Sequence, residues 1–171
     1  GLLDDYQSLF GYNVLNTEES VFEIQHNPLY TSDWGWFEGI DGNGIVQLCG
    51  IRGLCEDHPD YEPGWGFMLP TSSLFDHYLA DDTYRRDVTL TDTDELAAEI
   101  IAAGANCNPV VDQTQGNVID YTGYWQEKYS NWRAYLGTNV NGGDPNLTKA
   151  ANTYVIRYAD VLLMLAEALS R

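Results

Sequence analysis

The chain has 171 residues, 8 of them basic and 26 acidic, which gives a formal net charge of −18. Such a charge excludes nucleic acid and anionic lipid headgroups as default partners, because both are bound by clustered Lys and Arg. The content of 44% hydrophobic and 13% aromatic residues excludes a disordered acidic tail. We therefore expect a folded polyanionic protein within the length of one domain.

The first third of the chain predicts little regular structure. Apolar residues at helical spacing indicate the end of a helix over residues 2–10, which Gly11 terminates. Alternating apolar and polar residues predict a short strand over 20–25. Residues 26–66 are rich in Gly, Pro, Asn and Asp and have no periodicity, so we expect one long irregular segment.

The remaining two thirds predict helices and strands separated by loops. Thr71 or Ser72 is a suitable N-cap for a helix over 74–79. The further predicted elements are a strand over 85–90, a helix over 93–103 closed by Gly104, loops over 106–115 and 139–149, an extended aromatic segment over 119–129, and a helix over 154–169.

The last predicted helix is apolar around most of its circumference. Arg157, Asp160, Met164 and Glu167 fall within about 80° of one another at 100° per residue. The other positions are nearly all aliphatic, alanine or tyrosine, so we expect several neighbours to bury the helix. Arg157 and Asp160 are three residues apart, and we expect them to pair on the polar face.

The sequence contains no run of 18 apolar residues and no signal-peptide pattern, so it predicts no membrane span. It begins without Met and stops within the predicted helix, which suggests a portion of a longer chain. Cys49, Cys55 and Cys107 allow at most one internal disulfide. Two readings stay open, a bridge between Cys49 and Cys55 across a short loop, or three buried thiols.

Catalytic motifs are absent from the sequence. The acidic runs at 56–60 and 81–82 lie in polar segments, and a solvated loop is the better interpretation than a catalytic carboxyl pair. There is no GxSxG, no phosphate-binding glycine loop, no CxxC and no histidine spacing of a zinc site. These patterns therefore predict no metal site and no cofactor.

Two dense aromatic clusters stand out. The first lies in the long irregular segment, where flat rings beside Asp and Asn have the chemistry of a sugar-binding surface. Its members, with the tryptophan near the end of the same segment, are the candidate glycan-binding residues: Tyr30, Trp34, Trp36, Phe37 and Trp65. The second cluster favours core packing, and its members are Tyr121, Tyr124, Trp125, Tyr129, Trp132 and Tyr135.

Residues 154–168 (YVIRYADVLLMLAEA) closely resemble the signature helix of the SusD/RagB family of surface lipoproteins. Three further segments resemble family segments and come in the family's order: 19–24, 70–76 followed by Asp81, Asp82, Arg85 and Arg86, and 124–129. Leu165 stands where the family often has Tyr or Arg, which we interpret as a packing variation.

The resemblance implies a mainly α, SusD-like fold, with tetratricopeptide-type helix packing, long irregular loops and small β-hairpins. Residues 1–171 would form a single region of a larger domain. The resemblance also implies a binding protein on the outer-membrane surface, held there by an N-terminal lipid anchor that this chain lacks. It would capture a glycan for a SusC-like TonB-dependent transporter.

Three alternatives remain at this stage. RagB-like members of the family are associated with peptides, so a peptide is the first alternative ligand. A glycoside hydrolase is a second possibility, and a module that only docks on a transporter is a third. The strongly acidic composition favours a neutral or basic ligand over an acidic polysaccharide.

Overall fold

The computed structural model describes residues 1–29, 34, 42–112, 121–135 and 143–171. Its helices are α1 (Ile45–Cys49), α2 (Ser72–His77), α3 (Thr83–Thr89), α4 (Thr93–Ala102) and α5 (Tyr158–Ser170). Its strands are β1 (Ser20–Ile24), β2 (Leu90–Asp92), β3 (Tyr124–Gln126) and β4 (Thr153–Arg157). Two 3-10 turns cover Gln7–Leu9 and Arg133–Tyr135.

Each sheet in the described part of the chain joins two strands that are far apart in sequence. β1 pairs with β4 in antiparallel register, with Glu23 opposite Tyr154, and β2 pairs with β3, with Thr91 opposite Trp125. Neither pair is a β-hairpin, because tens of residues separate its strands. The hairpins expected from the resemblance are therefore not seen among the described residues.

The prediction for residues 154–169 was wrong at its beginning. The first part, with Tyr154, Val155 and Ile156, forms β4 and pairs with β1, and helix α5 begins only at Tyr158. Aromatic and β-branched residues favour strands when a partner strand is available. That partner is distant in sequence, and a search for local periodicity therefore does not find it.

Arg157 also differs from its prediction. Its guanidinium pairs with Glu19, Nη1 to Oε1, at 3.1 Å, and not with the carboxylate of Asp160. Asp160 instead accepts a hydrogen bond from the backbone N–H of Arg157 at 2.8 Å, which stabilises the first turn of α5. Arg157 therefore ties the start of the helix to the segment that precedes β1.

The expected burial of the last helix is not observed among the described residues, where no residue of α5 is buried. Leu163 is 70% exposed and Leu169 is 78% exposed. Val21 and Phe22 of β1 are exposed as well. We call β1, β4 and α5 together the ribbon end.

The middle of the chain follows the predictions except in one place. α2 has Thr71 as its N-cap, since the Thr71 hydroxyl accepts from the N–H of Leu74. α4 was predicted correctly, and Asp92 caps it. The strand predicted over 85–90 was wrong, because these residues form most of α3 and the chain becomes extended only at β2. Arg85 and Arg86 are good helix formers and outweigh the short β-branched run.

Two predictions for the first third of the chain need correction. The helix predicted over 2–10 is limited to the 3-10 turn Gln7–Leu9. The segment 26–66 is not wholly irregular, because it contains α1. Asn43 helps to begin α1, since its side-chain oxygen accepts from the N–H of Ile45 at 2.8 Å. The strand predicted over 20–25 is confirmed as β1.

The core is formed by the segment that follows α1, by α4 and the segment after it, and by β3. Its buried residues are Ile51, Leu54, Leu96, Ile100, Cys107, Val110, Val111 and Trp125. Trp125 is 1% exposed and donates its indole N–H to Thr93 at 3.0 Å. With Tyr135 also buried, the core interpretation of the second aromatic cluster is confirmed for these two members.

The disulfide differs from both readings that the sequence left open. Cys55 bonds to Cys107, and Cys49 is a free, buried thiol. The reason is a long-range pairing, in which Leu54 lies opposite Val111 and the N–H of Cys55 donates to Val110 at 2.9 Å. This pairing brings the Cys55 and Cys107 Cα atoms to 5.9 Å, within disulfide range.

Candidate functional site

The structure brings two of the sequence-predicted aromatic residues together. Trp34 and Trp65 stack with their ring centroids 5.4 Å apart and an interplanar angle of 26°. Phe67 meets Trp65 edge-on at 6.4 Å. Tyr30, Trp36 and Phe37 lie outside the described residues. The described part of the predicted site is therefore one aromatic surface. Phe67 also belongs to this surface, although it was not predicted from the sequence.

Trp65 is positioned by the end of α1. The segment 64–67 runs along this short helix. The backbone N–H of Trp65 donates to the carbonyl of Gln47 at 2.9 Å, and the backbone N–H of Phe67 donates to the carbonyl of Leu48 at 2.8 Å. These bonds satisfy carbonyl groups that a helix C-terminus leaves without partners. The glycine at 66, between the two aromatic residues, has φ +67°, and a Cβ there would lie 2.7 Å from the Trp125 ring. Glycine is thus required for the segment to adopt this path.

Trp34 is positioned from the opposite side by a turn that begins at Asp144. The indole N–H of Trp34 donates to Oδ2 of Asp144. Oδ1 of Asp144 accepts from the backbone N–H of Asn146 at 2.8 Å. The backbone carbonyl of Asp144 accepts from the N–H of Leu147 at 2.9 Å. Asp-Pro-Asn is a sequence typical of such a turn. One carboxylate therefore orients the Trp34 ring and shapes the turn beside it.

A groove of about 420 Å³ lies beside the two tryptophans. We call it the aromatic groove, and the described residues that line it are Trp34, Gly44, Ile45, Gln47, Leu48, Trp65, Asn146 and Leu147. None of these residues is charged. An apolar concave surface with a few polar groups is the usual form of a small-molecule site.

The charges near Asp144 are balanced. Glu62 pairs with Arg133, with Oε1 and Nη1 2.5 Å apart. The buried Lys149 faces Glu62 and Asp144, and its burial lowers the pKa of its ammonium while the two carboxylates partly oppose that shift. No charged residue is among the described residues that line the groove itself, which suits a neutral ligand better than an ionic one.

The stacking geometry decides which ring face can take a ligand. A pyranose between two rings would need them about 7–8 Å apart, twice the normal carbon–carbon contact distance. Trp34 and Trp65 touch each other at 5.4 Å, so no sugar fits between them. Trp34 remains 52% exposed. The arrangement can therefore bind a flat apolar face, such as the C–H face of a sugar, on the outside of the pair.

A second cleft, of about 340 Å³, is a weaker candidate. Phe75 and Trp132 line it together with carboxylates that include Asp92 and Glu95. Phe75 is stacked on Tyr124 at 4.5 Å, and the Arg86 guanidinium lies over its ring at 4.4 Å. Both faces of Phe75 are thus occupied, and the ring offers no free surface for stacking.

Sequence reasoning missed the polar half of the site. Asp144 and Asn146 fall in a segment predicted only as a loop, and Asp144 contacts Trp34 across 110 positions of sequence. The Asp-Pro-Asn turn was visible in the sequence, but its proximity to the first aromatic cluster was not. In the described parts of the chain, no group of three or more His, Cys, Asp or Glu could hold a metal ion. No helix among the same residues is long and apolar enough to cross a membrane.

Comparison with known proteins places these features in a family. The model of the SusD family matches residues 18–171. The chain is also similar to "SusD-like protein P2" of Formosa agariphila, with 28% identity over 97% of this chain and 29% of that protein. The chain thus spans under a third of the length of this curated relative.

Solved structures similar to this chain include a SusD-like protein and a surface glycan-binding protein. The chain superposes on a structure titled "Laminarin binding SusD-like protein" with TM-score 0.73 and 33% identity, over 98% of this chain and 34% of that one. It superposes on surface glycan-binding protein A of Bacteroides thetaiotaomicron, solved with laminarihexaose, with TM-score 0.81 and 23% identity, over 100% of this chain and 35% of that one. The second likeness supports the fold alone.

Proposed function

This chain belongs to the SusD family, and from that membership and the aromatic groove we propose that it binds a neutral glycan at the cell surface without hydrolysing it. The observation that carries the proposal is the pair of stacked tryptophans, one of them half exposed, beside an uncharged groove. C–H groups of a pyranose stack on such rings, and hydroxyl groups need polar partners at the rim.

A β-1,3-glucan is the ligand class that we propose first. The relative at 33% identity is named for binding laminarin, and a structural neighbour was solved with laminarihexaose. The binding surface is proposed to consist of Trp34 and Trp65, with Phe67 beside them. Tyr30, Trp36 and Phe37 flank Trp34 in sequence, and we propose that they extend the surface.

The larger context is part of the same proposal. Members of the SusD family are expected to act at the outer-membrane surface, so we propose that this protein passes its glycan to a SusC-like TonB-dependent transporter. Residues 1–171 would act as one region of that binding protein, with tetratricopeptide-type helix packing in the wider fold. The membrane would be reached through an N-terminal lipid anchor.

The test is calorimetric titration of the full-length protein with laminarihexaose. Replacing Trp34 and Trp65 together by alanine should raise the Kd at least about thirtyfold, which corresponds to about 2 kcal/mol for loss of an aromatic hot spot. The matched control is Phe22→Ala, because Phe22 is exposed to a similar extent, 54% against 52% for Trp34, and does not line the groove.

Two results would contradict the proposal. Unchanged affinity of the folded double variant would remove the groove from consideration as the binding site. Release of reducing ends from laminarihexaose, abolished by a single Asp or Glu substitution, would establish a glycoside hydrolase in place of a binding protein.

A further inference from the structure

The arginines of this protein differ in whether a carboxylate neutralises them. All six lie among the described residues, and five of them form ion pairs with Asp or Glu. Arg52 is the exception, because its guanidinium has neither an ion pair nor a hydrogen bond to the residues that the structure describes. Arg52 is also only partly exposed. A guanidinium that is partly removed from water needs acceptors for its five N–H groups, and a ligand with oxygen atoms would supply them.

Arg52 lines a cleft of about 460 Å³, which we call the Arg52 cleft. Glu56 and Asp112 line it as well, so one guanidinium and two carboxylates share the cleft. Its walls are joined to each other, since the N–H of Asp112 donates to the carbonyl of Gly53 at 2.7 Å and the lining residue Cys55 forms the disulfide. Walls that are fixed in this way hold polar groups in a defined arrangement.

The Arg52 cleft adjoins the aromatic groove. Gly64 lines the cleft, and the next residue, Trp65, lines the groove. A Cβ on Gly66 would lie 2.8 Å from the Cβ of Arg52, so the Arg52 side chain starts directly beside the segment that carries Trp65 and Phe67. A chain of several sugar units can therefore contact both regions.

We infer that the Arg52 cleft is a second contact region for the glycan, in which the Arg52 guanidinium donates hydrogen bonds to hydroxyl oxygens of the sugar. This inference rests on the proposed function. A hydroxyl group accepts from a guanidinium and also donates to a carboxylate, so a neutral polyol matches one Arg beside Glu56 and Asp112. The aromatic groove takes apolar sugar faces, and the Arg52 cleft takes hydroxyl groups.

The experiment compares variants of the full-length protein by calorimetric titration with laminarihexaose. Arg52→Ala should raise the Kd about tenfold, because hydrogen bonds from a charged donor are lost. Arg52→Lys should raise it by about threefold, because an ammonium keeps the charge but lacks the planar array of donors. The control is Arg85→Ala, which removes an exposed arginine that lines neither region and should leave the Kd within about twofold.

Two further measurements separate ligand contact from other roles of Arg52. The Tm of Arg52→Ala should equal that of the wild type, because the side chain has no protein partner to lose; a marked fall would indicate a structural role and overturn the inference. An oligosaccharide of glucuronic acid should bind more weakly than laminarihexaose, because its carboxylates would meet Glu56 and Asp112. Tighter binding of this acidic probe would also overturn the inference.

The failure of this inference is distinguishable from that of the proposed function. If Arg52→Ala binds laminarihexaose within twofold of the wild type while the double tryptophan variant has lost its affinity, the Arg52 cleft is not a contact region and the proposed function stands. If the wild type binds neither laminarihexaose nor any other neutral glycan, both are wrong.

Discussion

The aromatic groove and the ribbon end both expose large apolar side chains, but their surroundings differ. At the groove the exposed groups are aromatic rings, and the Asp144 carboxylate orients one of them, Trp34. At the ribbon end they are mostly aliphatic, with Leu163 and Leu169 the most exposed. An exposed apolar surface therefore does not indicate a sugar site by itself. The flat ring face and the adjacent polar group make the difference.

The two regions also differ in how they are held. The segment that carries Trp65 lies on a buried core that includes Ile51 and Trp125 and is crosslinked by a disulfide. The ribbon end depends on strand pairing between β1 and β4 and on the ion pair of Arg157 with Glu19. Binding an extended ligand with precision requires a surface whose rings keep their orientation, and the crosslinked core provides that support.

The largest expected effect tests the disulfide that crosslinks the core. Replacing Cys55 and Cys107 together by serine should lower the free energy of unfolding by about 4 kcal/mol, the chain-entropy value for a loop of 52 residues. Urea denaturation at neutral pH measures the difference. The control is Cys49→Ala, a buried cysteine outside the disulfide, for which about 1 kcal/mol is expected. If both variants lose the same free energy of unfolding, the disulfide stabilises the core no more than a buried cysteine does.

A smaller effect is expected at the ribbon end. Glu19→Gln should lower the free energy of unfolding by about 2 kcal/mol, because Glu19 is buried and the Arg157 guanidinium would lose its charged partner. The same urea experiment on Glu167→Gln, which breaks the exposed pair with Arg171 on α5, should show less than about 0.5 kcal/mol. A negligible effect of Glu19→Gln would mean that strand pairing alone holds the ribbon.

The smallest effect concerns the dependence of stability on pH. His58 is buried, and its Nδ1 accepts from the N–H groups of Asp60 and Tyr61, each at 3.1 Å. Burial lowers the pKa of His58 below 6.5; the Asp60 carboxylate opposes this shift and Arg133 adds to it. Because the unfolded chain then binds the proton more readily, stability is retained above about pH 6.5 and decreases as the pH falls toward the folded-state pKa.

The measurement is urea denaturation at pH 7.5 and at lower pH, for the wild type and His58→Asn. The asparagine oxygen can accept the same backbone hydrogen bonds but does not titrate in this range, so its stability should fall less on acidification. If both proteins lose stability in parallel, His58 is not the group that titrates.

The elements predicted correctly from the sequence are those whose signals are local. α4 has an N-cap, helical spacing and a terminal glycine within a dozen residues, and β1 has a clear alternation. α3 and β4 were predicted wrongly, since each has a local pattern that suits either state, and the tertiary neighbours decided between them. The resemblance of residues 154–168 to a family signature pointed to the correct family even though their first part is a strand.

The same division applies to the site. By itself the sequence determined the family, the acidic charge, and the aromatic loop that contains Trp34 and Trp65 as candidates. Only the tertiary structure decided that these two rings stack, that Asp144 orients one of them, and that Cys55 bonds to Cys107 and not to Cys49. Composition and periodicity are properties of neighbouring residues. Each of these contacts joins segments tens of residues apart, and their meeting depends on how the whole chain packs.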